Sequence, residues 1–163
     1  MNDYLQQRGI DVVETDLGER ILQLLHQKPS HIVVPATHLR REEIGQMFER
    51  EGISMEKGNY DPTYLTYCAR ESLRHEFLEA GAGMTGCNFG VAKTGDVVVC
   101  TNEGNADMST SMPKLHIVAM GIEKIIPDYA SMAIFHRLLS RSATGQPTTG
   151  FTSHFRQARP GGE

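Results

Sequence analysis

The sequence predicts an α/β fold: a mainly parallel sheet flanked by helices, with a β-hairpin inserted midway. Three observations predict it. Between Ile10 and Gly52, apolar runs of strand length alternate with amphipathic helical stretches. That alternation implies parallel strands joined by right-handed crossovers. Further on, two apolar runs flank Lys93-Thr94-Gly95-Asp96, the pattern of a hairpin turn between strands. A last apolar run, from Leu115, precedes a closing helical pattern.

Each element has its own local reason. Residues 1–9 (MNDYLQQRG) read as the tail of a helix closed by Gly9. IDVVET, 10–15, is expected as a short strand. DLGERILQLLHQ follows as an amphipathic helix with Leu17, Ile21, Leu24 and Leu25 on one face. Asp16 and Glu19 have capping-box spacing at its start. SHIVVPA, 30–36, is expected as an apolar strand ended by Pro35. LRREEIGQMFEREG is a second helix, with Ile44, Met47 and Phe48 inward and Gly52 as its stop. DPTYLTYCARESLRHEFLEAGAG is a third and longer one, opened by Pro62 and ended by Gly81 and Gly83.

MTGCNFGVAKTGDVVVCTNEGN reads as two strands around the Lys93–Asp96 turn. In the first, Cys87, Phe89 and Val91 alternate with Asn88, Gly90 and Ala92. After NADMSTSMPK come the strand LHIVAMG, the link IEKIIPD and the helix YASMAIFHRLLSRSA. Residues 1–145 are expected to form the α/β domain. The Gly-, Thr- and Pro-rich segment 146–163 is expected to be an extended arm or a frayed end.

Composition narrows the function classes. The chain has 163 residues and a formal net charge of −4, enough for one domain with a sizeable core and no broad nucleic-acid surface. No apolar run approaches the roughly 20 residues of a membrane span, and the polar N-terminus does not read as a signal peptide. A cytoplasmic location is the expectation. Cys68, Cys87 and Cys100 match no compact zinc or iron–sulfur spacing, and the seven histidines form no HExxH-type pair, so no metal site is expected.

Ligands of open α/β sheets bind at the carboxyl ends of strands. Three polar clusters fall at predicted strand ends. The first, 83–90, holds Thr85, Gly86 and Asn88, with glycines that let a backbone approach a ligand and an amide suited to an anion. The second is the hairpin tip, Thr94 and Gly95, beside Lys93. The third is Asn102-Glu103-Gly104-Asn105, where Glu103 is the candidate catalytic group, as base or nucleophile, and the two asparagines are candidate ligand-orienting groups. Solvated turns account for the same residue types. GAGMTG, 81–86, has the spacing of a dinucleotide fingerprint but follows a helix, so no such cofactor is implied.

In order, GIDVVETDLGERILQL, PSHIVVPATHLRREEIGQMF, LRHEFLEAGAGMTGCNFGVAKTGDVVVCTNEGN and MPKLHIVAMGIEKIIP resemble the LUD domain of lactate-utilization proteins. The resemblance runs over nearly the whole chain, is most specific from Gly83 to Pro127, and points to the B-type, iron–sulfur-containing subunit of a bacterial lactate-oxidation complex. It implies a fold similar to the sugar-phosphate isomerase and CoA-transferase group. It also implies a part in oxidising L-lactate to pyruvate with sister subunits. It carries Asn102, Glu103, Gly104 and Asn105 over as site residues. Members of that family are longer, with a cysteine-rich, ferredoxin-like region that holds iron–sulfur clusters. This chain is expected to be a truncated domain that binds none itself. Two positions depart from the pattern: Lys93 stands where the family often has Glu, and Ala106-Asp107 where it often has a basic residue.

Three functions follow as expectations. The favoured one is a domain of the lactate-oxidising complex that binds a small anionic metabolite or a partner subunit and is inactive alone. The second is a stand-alone isomerase or CoA-transferase-like enzyme using Glu103. The third is a structural domain that holds a homo-oligomer together.

Overall fold

The structure is a computed structural model that describes residues 1–156. It divides into two compact units, Met1–Glu76 and the chain from Phe77 onward.

The first unit is helical: α1 (Asn2–Gln6), α2 (Leu17–Leu25), α3 (Arg41–Arg50) and most of α4 (Pro62–Glu79). The helix starts follow the sequence. Asp16 caps α2 by accepting hydrogen bonds from the Gly18 and Glu19 amides at 2.9 and 3.3 Å. The Arg40 amide donates to the Glu43 carboxylate at the start of α3 (2.9 Å), and the Tyr64 amide donates to Asp61 at the start of α4 (3.0 Å). The core of this unit is Ile21 from α2, Met47 and Phe48 from α3, and Leu65, Cys68 and Ala69 from α4. The periodicity of α2 and α3 placed their members of that core correctly.

The two strands expected in this unit do not form. In 10–15 the side-chain amide of Gln23 takes the backbone groups a ladder would use. It donates to the Val12 carbonyl (2.6 Å) and accepts from the Glu14 amide (3.1 Å). In 30–36 the chain turns back on itself. Ser30 donates from its amide and its hydroxyl to the Pro35 carbonyl, and the His31 ring Nδ1 accepts from the amides of Val33 and Val34, each at 3.1 Å. Ile32 is left 91% exposed. No strand lies in this unit among the described residues, so neither apolar run has a ladder partner.

The second unit carries the α/β architecture. β1 (Ala82–Thr85) pairs in parallel with β4 (Leu115–Val118), from Ala82 opposite Leu115 to Thr85 opposite Val118. A second sheet has the order β5-β2-β3-β6, with β2 (Phe89–Val91), β3 (Asp96–Thr101), β5 (Ile125–Ile126) and β6 (Phe151–Phe155). β2 and β3 are the expected hairpin, antiparallel with Phe89 opposite Val98, and Gly95 lies in its turn at φ +75°. β2 also pairs in parallel with β5, while β6 runs antiparallel along β3 from Val97–Phe155 to Thr101–Phe151.

Helices flank these sheets. α5 (Asn105–Ser111) lies on β1 so closely that a Cβ on Gly83 would stand 1.7 Å from the Ser109 carbonyl oxygen. α6 (Tyr129–Thr144) starts at Asp128, which accepts from the Ser131 amide and hydroxyl, each at 2.9 Å. It packs Tyr129, Met132 and Leu139 against the buried Phe89, Val91, Val98 and Ile126. The α/β class with parallel pairing therefore holds, and the hairpin sits where the turn residues put it. Besides the pairing of Phe151–Phe155 as a strand, two features were missing from the sequence reading. The segment expected to continue as one strand from Met84 breaks at 86–88, sending β1 and β2 into different sheets, and NADMSTS is helix rather than loop.

Candidate functional site

β3 separates the predicted site residues. At about 3.3 Å per residue, its six residues place the two ends roughly 20 Å apart. Thr94 and Gly95 lie at the hairpin end. Asn102, Glu103, Gly104 and Asn105 lie at the other, where β3 hands over to α5.

At the α5 end the side chains are ordered by bonds within the protein. The Thr101 hydroxyl accepts from the Glu103 amide (3.3 Å) and donates to Asn105 Oδ1 (3.0 Å). Gly104 precedes α5 at φ +72°, a left-handed conformation that a side chain resists, and the Phe151 ring lies over it. Asn102 Oδ1 accepts from the Gly150 amide (3.0 Å), tying this turn to the start of β6. Asn88 joins the same end of β3, because its Oδ1 accepts from the Cys100 amide at 2.7 Å. His136 of α6 completes the neighbourhood, with Nε2 2.9 Å from the Thr152 hydroxyl. Thr85 ends β1 and its hydroxyl pairs with His116 Nε2 at 2.8 Å. Burial lowers the pKa of His116, whose ring meets Phe155 edge-on. Beside Thr85, Gly86 has open space around its Cα.

These contacts settle which polar atoms remain for a ligand. Asn88 and Asn102 each present their oxygen to a backbone N–H, so their amide orientation is fixed. Both NH2 groups are left as donors with no protein partner among the described residues. Glu103 is exposed at the same end of β3. The two asparagines can supply amide donors to an anion.

The hairpin end holds a cluster that the sequence reading missed. Asp96, the first residue of β3, is 1% exposed. The Arg156 guanidinium grips it through Nε to Oδ1 (3.0 Å) and Nη2 to Oδ2 (3.2 Å), and the Tyr129 hydroxyl donates to the same carboxylate. His154 Nδ1 stands 3.4 Å from that hydroxyl. Arg156 first, then Tyr129, holds the Asp96 carboxyl at about 2, below its ordinary 3.8. The same carboxylate raises the pKa of Tyr129 and of Arg156. The donors are spent on the buried charge, so the cluster ties β3, α6 and the residue after β6 together. Only an acid beside the Val97–Val99 run hinted at it.

The folded pKa of Asp96 lies below the unfolded one, so its contribution is complete above 3.8 and is lost as pH falls through about 2. Asp96→Asn is expected to lower the urea midpoint at neutral pH and to flatten its fall between those two values. Denaturation series over that acid range measure both effects.

The three cysteines are divided between the two units. Cys68 is buried in the first unit, and Cys87 and Cys100 are half-buried in the second. Burial pushes both of the latter thiols up, away from thiolate. Among the described residues no group of three or more His, Cys, Asp or Glu could hold a metal ion, and no helix is long and apolar enough to cross a membrane.

Comparison with known proteins adds the context. The chain is 46% identical, over its whole length, to Lactate utilization protein B of Shouchella clausii, covering 34% of that protein. It is 47% identical over 93% of its length to Lactate utilization protein B of Geobacillus thermodenitrificans, covering 32% of it. It is 46% identical over 99% of its length to the Uncharacterized electron transport protein YkgF of Escherichia coli, covering 34%. The chain thus spans about a third of the length of these relatives. No solved structure matches it. The LUD domain model matches residues 1–160 and takes in both units, with the Asn102–Asn105 turn and the β2–β3 hairpin inside the match. On that match, over nearly its whole length, the chain belongs to the LUD domain family.

Proposed function

We propose that this domain serves lactate utilization by binding the anionic metabolite L-lactate at the α5 end of β3, within an iron–sulfur multi-subunit complex that oxidises L-lactate to pyruvate. The observation that carries the reading is the pair of fixed amides. With the oxygens of Asn88 and Asn102 committed to the backbone N–H groups of Cys100 and Gly150, their NH2 groups are left as donors only, which supports an anion as the ligand. Donors of that kind suit a carboxylate. Glu103, at the same strand end, has acceptor capacity for the hydroxyl on the adjacent carbon. Gly104 and Asn105 shape the turn that presents it, and Thr85 and Gly86 stand at the end of β1. Thr94 and Gly95, at the opposite end of β3, lie outside this site. The names of the relatives support a lactate-utilization role.

Isosteric changes test the site without removing its scaffold. Asn88→Asp and Asn102→Asp keep the oxygen that the backbone needs and replace the NH2 donor by negative charge. Each is expected to weaken L-lactate binding about tenfold or more, because a hydrogen bond to a charged group is replaced by repulsion. Glu103→Gln is expected to weaken L-lactate and leave propionate, which lacks the hydroxyl, unchanged. NMR titration of the chain with both acids reads all three. Identical titrations for wild type and variants, or shift changes confined to the Thr94 end, would sink the reading.

A further inference from the structure

α6 has a second apolar face that its own unit does not use. Met132, His136, Leu139 and Ser140 mark the side that packs inward, with Ser140 buried and the others half-buried. Ile134 and Leu138, one turn apart, point the opposite way and are 63% and 55% exposed. With Ala133, Arg137 and Arg141 they form one exposed strip along the helix. A surface helix of a globular protein ordinarily shows water a polar face there, and one that is apolar on opposite faces is built to be covered on both.

The charges beside this strip bear on what covers it. Arg137 and Arg141 stand about 6 Å apart along the axis, on one flank of the Ile134–Leu138 stripe. Neither guanidinium has an ion pair or hydrogen bond among the described residues. Two α6 helices packed on each other through this face would set like charges together, which disfavours the self-pair. We infer that the outer face of α6 docks an amphipathic helix of another protein, one that lays an apolar stripe on Ile134 and Leu138 and sets carboxylates against Arg137 and Arg141. The surface is separate from the β3 site and does not depend on the lactate reading.

Fluorescence anisotropy with two labelled helical peptides tests it on the full chain. Both peptides carry leucines along one face; one has Glu on the flanks and the other Lys. The Glu peptide is expected to bind about tenfold tighter or more. The double variant Arg137→Glu with Arg141→Glu is expected to reverse the preference, and Leu138→Asp to abolish binding of both with an unchanged circular dichroism spectrum. Equal affinity for the two peptides, no binding of either, or a preference unaltered in the double variant overturns the proposal. So does self-association that Leu138→Asp removes, which assigns the face to a second copy. Sedimentation with phosphatidylserine vesicles in place of peptide binding assigns it to a membrane surface and overturns the proposal as well.

Discussion

Gly83→Ala is expected to destabilise the second unit by about 3 kcal/mol, the upper end of the usual overpacking range. A methyl at this position would lie 1.7 Å from the carbonyl oxygen of Ser109 and 2.8 Å from its carbonyl carbon. Both are backbone atoms of α5, so no side chain can swing aside to make room. The helix would have to lift from β1, and the buried Ser109 would lose its seat. Gly81, two residues earlier, has open space where its Cβ would be. Gly81→Ala is therefore the control, expected to stay within about 0.5 kcal/mol of wild type. Urea denaturation of the two variants, with amide exchange across α5, separates them. Equal midpoints would mean that α5 does not bear on β1 as described.

Phe48→Ala is expected to cost about 3–5 kcal/mol. Phe48 is 1% exposed at the centre of the helical unit, within the cluster of Ile21, Met47, Leu65 and Cys68. Truncating it removes a ring from water-free packing and leaves a void that three helices must collapse to fill. Ile32→Ala gives the contrast. That side chain is also apolar but is 91% exposed, and its loss is expected to change stability by no more than about 0.5 kcal/mol. Denaturation midpoints measure both, and protection of the α2 to α4 amides locates the damage from Phe48→Ala. A small effect there would show that the core lies elsewhere.

What the sequence made legible was local. The cap at Asp16, the apolar spacing of α2 and α3 and the Thr94-Gly95 turn each involve residues a few positions apart, and each appears in the structure. The misread elements turned on distant partners. IDVV and HIVV have strand composition, but a strand exists only with a ladder, and here Gln23 and His31 take those backbone groups instead. The Phe151–Phe155 segment reads as an extended arm or a frayed end, and it becomes a strand because β3 offers it an edge. The candidate site shows the same division. The Asn102–Asn105 motif was readable as a polar turn at a strand end. The commitment of the Asn88 and Asn102 oxygens was not, because it depends on Cys100 and Gly150 coming alongside. Asp96 and Arg156 are far apart in the chain, and no periodicity announces such a pair.

The pairing of β6 with β3 has a consequence for biosynthesis. β3 is complete when Thr101 has been made, but the strand that covers its outer edge arrives only with Phe151–Phe155. At about 5–20 residues per second, the ribosome leaves the Val97–Val99 edge open for several seconds. An apolar edge without its neighbour is a template for pairing with another chain. Polysomes that translate this protein therefore carry nascent chains with the same open strand side by side. The five-residue strand β6 acts as the cover that ends this aggregation hazard, and a transcript truncated before it should yield insoluble protein even though the hairpin and α6 are intact.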